Sequence, residues 1–569
     1  MVTGGSLYCG EVFLRYSHIP YQKRLVLLTG FSLFPAVLAI MGYLKVWMIP
    51  YVPNLVGLAC ISYAVFWISK NVDLAYLKRK DLALFIVPII AILYLVILKI
   101  NYIWGGPLSH MDEGRSILFI SGLANNFLSP AFPTIYSIPV MYPFYLFETG
   151  AFLYLATSGI GYPTNPLLVI TIWALALGYL ALYESCTKFC TKPKKVFLYA
   201  SAVITTSGLA IYQPRILLDT VHPFMLGQMT GLFGAGYHYF FGICMAVMGV
   251  AYFIEFLKTS KKHNFILAVF GIVTCFGFAG IPAAWAGFSI IVIFLVWLPV
   301  GKISTAKGLS AKAAIVALFM LGPQLFSFMP ALTPLFGFTL PHWLLIRPFV
   351  DVVNKTPLPD ILWQPLIGPL TILVAVGPIL AFSFLILPFI VIRKNFLAWA
   401  VVSSVLLLSI TETWGPDWFG RRPLFAIVLS GILISIFIEN KSRTIKTLFI
   451  SILVAQTLYY IPLPILHFQR ALPVVSTIHN GLKIGTLFFT PEYNQLAENT
   501  LLAGRGVLTA PSEAHEAYLP NKTILNRMGI PLKITVCSKN AFGKTIPRGV
   551  FVIIKEDKMH EYRCDEIIE

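Results

Sequence analysis

The chain has 569 residues, of which 57% are hydrophobic and 12% charged, with a mean hydropathy of +0.80. Soluble domains carry about 25% charged residues, so a soluble fold is excluded; the apolar runs lack the alternation of barrel strands and are roughly 20 residues long, the length of a helix crossing a ~30 Å hydrocarbon core. The net charge of +18 collects as Lys and Arg between those runs, which reads as a topology signal and an attraction to anionic membrane lipids, not as a nucleic-acid surface.

The first apolar runs fall at about 25–44, 51–69 and 82–100. The first follows Lys23 and Arg24 and ends at Lys45 without a small-residue cleavage site, so no cleavable signal sequence is expected. Lys70, Lys78, Arg79 and Lys80 mark the loop before the third run as cytoplasmic, which sends residues 101–138 outside. Runs at about 139–158 and 166–186 come next, then a loop with Lys188, Lys192, Lys194 and Lys195 that is again cytoplasmic. Passing from outside to inside requires an odd number of crossings, so these two runs together are expected to cross once. Glu148 lies within the first of them, and a carboxylate facing lipid is costly, so it should face protein or water.

From Val196 onward the parity is regular. Runs at 196–213, 231–257, 264–281, 282–299, 313–335, 367–392, 396–410, 424–438 and 447–466 return every basic loop to the same side except Arg421 and Arg422. The expected fold is a polytopic α-helical membrane protein of about 12–14 apolar helices. Residues 1–466 form the multi-spanning part, with outer loops 101–138, 214–230, 336–365 and 411–423. Residues 467–569 change composition: a helix-like stretch at 492–499 and strand-like runs at 506–509, 533–537 and 549–555 suggest a small C-terminal α/β domain, which parity places outside. The eight Cys are scattered; Cys186 and Cys190 are four apart, but no second pair completes a zinc site.

Polar chemistry concentrates in the outer loops. His110-Met111-Asp112-Glu113-Gly114-Arg115 places two adjacent carboxylates at the membrane surface of a chain with only 24 Asp plus Glu; taken alone it reads equally well as a solvated loop. The segment from Tyr212 to Pro223 carries Arg215, Asp219 and His222. Arg215 and Asp219, four apart, share a helical face and could be a simple ion pair. Glu412 to Arg422 combines Trp414, Asp417 and Trp418 with Arg421 and Arg422, two guanidiniums on the side the topology rule disfavours. The proline-rich loop at 336–365 adds His342, Trp343, Arg347, Asp351 and Asp360. Carboxylates can act as a general base, aromatic residues stack on sugars, and Arg binds phosphate through paired hydrogen bonds. This set suits transfer from a lipid-phosphate carrier to a hydroxyl or amine.

The acidic pair in the first large outer loop, the element Tyr142-Pro143-Phe144-Tyr145-Leu146 after it, and Arg215-Ile216-Leu217-Leu218-Asp219 together resemble the GT-C superfamily of membrane glycosyltransferases, in particular protein O-mannosyltransferases and bacterial lipid-linked sugar transferases. The resemblance covers residues 100–300 and beyond them extends only to layout. It implies Asp112 or Glu113 as catalytic base, with Asp219 as a second acidic residue of the site. Arg115, Arg215, His222, Arg347, Arg421 and Arg422 would bind substrate, namely a polyprenyl-phosphate-linked sugar and an acceptor glycan, lipid or protein. No particular cofactor is singled out, and a divalent cation (Mg or Mn) could sit among the carboxylates. The chain departs from the pattern in having two apolar runs before the usual first one, a single proline in the aromatic-proline element, and no Trp-Trp-Asp motif, since Trp414-Gly415-Pro416-Asp417-Trp418 is different. Transfer to asparagine is therefore disfavoured. The competing reading is a lipid-carrier or solute transporter or flippase without glycosyl transfer. It would call for inverted repeats and midplane polar residues, and the sequence shows no repeat.

Overall fold

The fold is described from a computed structural model over residues 1–71, 83–93, 108–109, 120, 123–124, 128, 144–157, 164–206, 237–279, 282–297, 310–328, 396–410, 424–460, 469–470, 487–489, 506–508, 551–555 and 558–562. The described residues are mostly helical. The helices are α1 (Val2–Tyr16), α2 (Lys23–Tyr43), α3 (Val52–Asn71), α4 (Tyr145–Ala156), α5 (Thr164–Phe189), α6 (Pro193–Thr206), α7 (Tyr237–Thr259), α8 (Lys262–Ala279), α9 (Pro282–Trp297), α10 (Ser310–Phe328), α11 (Phe396–Ile410), α12 (Leu424–Glu439) and α13 (Arg443–Tyr460). Five of them carry segments long and apolar enough to cross a membrane: Lys23–Tyr43, Val52–Asn71, Pro166–Phe189, Tyr239–Thr259 and Lys262–Ala279. The protein is a helical membrane protein.

Helix α7 is the central post. Its apolar stretch is 94% buried, against 22% for α3, and it packs on α5, α8, α9 and α12. The outer row of α3 (Leu55, Leu58, Val65 and Phe66) and that of α13 (Leu448, Val454 and Leu458) are exposed apolar side chains, as expected of helices that meet lipid. Aromatic rings lock the centre. Phe31 of α2, Phe241 of α7 and Phe278 of α8 lie with centroids 4.8–5.8 Å apart, and Tyr145 of α4 packs on Phe278 at 6.0 Å. Ser289 of α9 and Ser403 and Ser404 of α11 form a buried hydroxyl cluster with Oγ–Oγ distances of 3.0–3.1 Å. Such contacts hold helices together where lipid offers no hydrophobic drive between them.

Helix α1 corrects the sequence reading, which began the apolar runs at residue 25. Glu11, Arg15 and three glycines depress the hydropathy of this segment, yet it packs tightly against α2 and α3. Glycine allows the approach. A Cβ at Gly30 would fall 1.6 Å from the carbonyl oxygen of Ser6, one at Gly4 would fall 1.6 Å from that of Cys60, and one at Gly10 would fall 1.9 Å from that of Val26. Gly271 of α8 makes a similar approach to the Met245 carbonyl of α7, at 2.4 Å.

The runs expected at 139–158 and 166–186 become very unequal helices. Helix α4 has 12 residues, ~18 Å at about 1.5 Å per residue, short of the ~30 Å core. Helix α5 has 26 residues and is long enough to cross. Glu148 of α4 is fully buried, facing protein.

Two sheets lie outside the helices. Strand β1 (Leu108–Ser109) pairs antiparallel with β2 (Gln469–Arg470). Strands β3 (Leu487–Phe489), β4 (Gly506–Leu508), β5 (Phe551–Lys555) and β6 (Lys558–Tyr562) form a sheet of order β4-β3-β5-β6, parallel except for the β5–β6 pair. The helix expected at 492–499 and the strand expected at 533–537 lie outside the described residues.

The glycine crossing gives a direct stability test. Gly30→Ala forces a methyl group against backbone and should lower the thermal unfolding midpoint in detergent by the equivalent of ~1–3 kcal/mol, the usual cost of overpacking. Gly287→Ala, where the added methyl meets nothing within 4 Å, should leave the midpoint unchanged or slightly raised. Equal midpoints for the two variants would show that α1 and α2 do not cross this closely.

Candidate functional site

The sequence-derived site residues Asp112, Glu113, Arg115, Arg215, Asp219, His222, Arg347, Arg421 and Arg422 all lie outside the described residues. What the structure describes is the frame around the acidic loop. In the β1–β2 ribbon, Leu108 stands opposite Arg470 and Ser109 opposite Gln469. Asp112 is three residues on from Ser109, ~11 Å of chain at most. The root of the acidic loop is therefore fixed to the segment that follows the last helix.

Side-chain pairs sort the helix ends into two levels. At one level, Lys23 Nζ donates to the Asn71 carbonyl, joining the start of α2 to the end of α3. Arg24 Nε lies 3.0 Å from Glu184 Oε2, and Tyr252 Oη donates to Glu184 Oε1 at 2.7 Å. The guanidinium and carboxylate are close, but Nε and Oε2 are not angled for a hydrogen bond, so their attraction is that of an ion pair. Lys188 caps the Tyr252 ring at 4.9 Å. Glu439, at the end of α12, gathers Lys192 (3.5 Å), Lys195 (3.6 Å) and Lys446 (3.4 Å). The starts of α2 and α13 and the ends of α3, α5, α7 and α12 thus share one level, which is the level of the lysine-rich loops. At the other level, Asn54 Nδ2 donates to the Ala156 carbonyl at 2.9 Å, joining the start of α3 to the end of α4. Helix α13 starts among the lysines and its 18 residues, ~27 Å long, lead away from them toward the segment that pairs with β1.

Inside this frame sits a buried polar group that the sequence had singled out. Both carboxyl oxygens of Glu148 are buried with no hydrogen-bond partner among the described residues. Tyr145, one turn away on α4 and on the same face, donates its hydroxyl to the Met320 carbonyl of α10, and Tyr43 donates to the Pro323 carbonyl at 3.0 Å. Pro323 lies inside α10. Proline there removes one hydrogen bond from the helix ladder, and tyrosine hydroxyls serve the carbonyls of that stretch.

A second polar centre was not found from the sequence. Glu11 of α1 accepts from Trp67 Nε1 (2.9 Å), Tyr63 Oη (2.9 Å) and Tyr21 Oη (3.3 Å), with Arg15 Nη2 at 3.5 Å. The available signal was a lone carboxylate in a glycine-rich stretch preceding the first long apolar run. Among the described residues no group of three or more His, Cys, Asp or Glu could hold a metal ion.

No family model and no curated protein matches the chain.

The ribbon register can be checked directly. Residues directly opposite in an antiparallel pair have Cβ atoms ~4.5–5.5 Å apart, so Ser109→Cys with Gln469→Cys should form a disulfide under mild oxidation, read as the crosslinked peptide by mass spectrometry. Shifting one partner to Ala471→Cys should reduce the yield sharply. Equal yields would discard the pairing.

Proposed function

We propose that the chain is a glycosyltransferase of the cell membrane that moves a sugar from a polyprenyl-phosphate carrier to an acceptor on the extracytoplasmic face, with inversion at the anomeric carbon. The observation that carries this reading is the β1–β2 ribbon. It ties the root of the acidic loop to the segment entering residues 467–569, the arrangement needed by a site shared between an outer loop and a small extracytoplasmic α/β domain. The separation of helix ends into a lysine-rich level and an opposite level supports the sidedness, with the lysines cytoplasmic.

In this reading the Asp112 carboxylate, or that of Glu113, takes the acceptor's proton as the acceptor oxygen or nitrogen attacks the anomeric carbon. The bond from that carbon to the carrier phosphate breaks, and the phosphate leaves with the electron pair. Arg421 and Arg422, with Arg347, hold the departing phosphate through charge-assisted hydrogen bonds. Asp219 orients the acceptor, while Arg115, Arg215 and His222 complete the substrate contacts. A divalent cation, if held by the carboxylates, would add positive charge at the phosphate.

The test is transfer from labelled polyprenyl-phosphate sugars by membranes carrying the variants. Asp112→Asn keeps size but loses the basic oxygen and should reduce turnover ~10²–10⁴-fold, with insertion and donor binding retained. Near wild-type transfer by both Asp112→Asn and Glu113→Gln would overturn the catalytic role of the pair. A cysteine at position 500 should label from outside intact cells, and labelling only after permeabilisation would move the site to the wrong side of the membrane.

One observation favours transport as a second reading. An intramembrane carboxyl with no partner is the kind of group that carries protons or ions, and among the described residues Glu148 is such a group. If the chain is a transferase, Glu148→Gln retains transfer; if it is a transporter, the same change abolishes flux while no variant of Asp112 does.

A further inference from the structure

Helices α1, α2, α3 and α10 line a cavity of about 710 Å³, open along one side, with Trp47 at one end and Tyr16 and Tyr63 at the other. Its walls are apolar apart from tyrosine hydroxyls and the thiols of Cys9 and Cys60. An apolar cavity does not hold water, which needs two to four polar partners, and left empty it would forfeit dispersion contacts along its whole lining. Small-molecule sites fall in the range of about 300–1,000 Å³, so the volume suits a ligand rather than a packing defect.

The shape narrows the class of ligand. The lining runs along α1 from Gly4 to Tyr16, ~18 Å at about 1.5 Å per residue, close to half of the ~30 Å hydrocarbon core. Along α2 the lining continues to Met41 and then Trp47, at the end away from Lys23, so the cavity is longer than one leaflet and has room for an acyl chain entering at its Tyr16 end. Tyr8 and Val12 of α1 and Ile315 and Phe319 of α10 line the cavity and are themselves exposed, so the described residues do not cover them. Its Tyr16–Tyr63 end lies at the lysine-rich level, where Tyr63 binds Glu11 and the Arg15 side chain is 82% exposed. The Arg15–Glu11 contact, at 3.5 Å along one helix, is of the weak exposed kind. A guanidinium so placed suits a phosphate.

We infer that this cavity holds one acyl chain of a membrane phospholipid from the leaflet on the lysine-rich side, with the lipid phosphate against Arg15. The carrier lipid of the proposed transferase does not fit the same place, because its phosphate would sit at the opposite membrane face. The inference stands whether or not the chain transfers sugar.

The experiment places the full chain in phosphatidylcholine–phosphatidylglycerol vesicles doped with phosphatidylglycerol bearing a diazirine at mid-chain, followed by photolysis and peptide mapping. Label should concentrate in residues 4–16 and 56–63. Ala59→Trp, which fills the cavity, should reduce it about tenfold, the change expected for a loss of ~1.4 kcal/mol, while Leu448→Trp on the lipid-facing row of α13 should not. Arg15→Gln leaves the cavity intact and should reduce label about threefold, within the range of an exposed ion pair, so the idea remains testable if Ala59→Trp fails to fold. Label spread evenly over α13 and the cavity helices, or unchanged by both Ala59→Trp and Arg15→Gln, would overturn the inference. So would preferential labelling of the cavity by a diazirine polyprenyl phosphate.

Discussion

Buried carboxylates at one end of the bundle set the direction of the helices. Glu184 is held by Arg24 and Tyr252, and Glu439 by Lys192, Lys195 and Lys446. A carboxylate removed from water is costly to keep charged without a counter-charge, and here the partly exposed cations supply it. Each of these groups joins the end of one helix to the start of another. The pairs therefore act as registration pins: reversing or sliding any one helix would strand a charge. The aromatic cluster of Phe31, Phe241 and Phe278 fills the centre but would tolerate sliding far better, because dispersion has no direction.

Glycine sets how close the helices come. Where α1 crosses α2 and α3, backbone meets backbone. The tight crossing and the cavity beside it have a common origin, since an α1 pinned at Gly4, Gly10 and Gly30 cannot move outward to close on α10.

Much of this frame was legible in the sequence. Long apolar runs with lysines at alternate ends specify helices and their relative direction, and α2, α5, α7, α8 and α12 fall within a few residues of where those runs lie. The pair of runs around Glu148 corresponds to helices of 12 and 26 residues. Helix α1 was not legible because its fit depends on small residues, which lower hydropathy as they improve packing. The ribbon was not legible either. Two-residue strands carry no period, and the partner of Leu108 lies far away at Arg470. The candidate site itself was read from residue chemistry alone, in proline-broken loops where no periodicity fixes a geometry, and the structure describes its border rather than its interior.

The ribbon has a consequence for how the protein is made. Strand β1 leaves the ribosome early, and its partner β2 follows about 360 residues later, after all the described helices. At ~5–20 residues per second that is an interval of ~20–70 s. During it the acidic loop has no tether at its root. Closing a loop of that length costs ~5 kcal/mol of chain entropy, more than a ribbon of two residue pairs can supply, since even isolated hairpins are marginal. The helices must therefore be assembled before the ribbon can form. The acidic loop is anchored only once the last membrane helix is in place, so any activity that depends on that anchor begins with the completed chain and not with a nascent one.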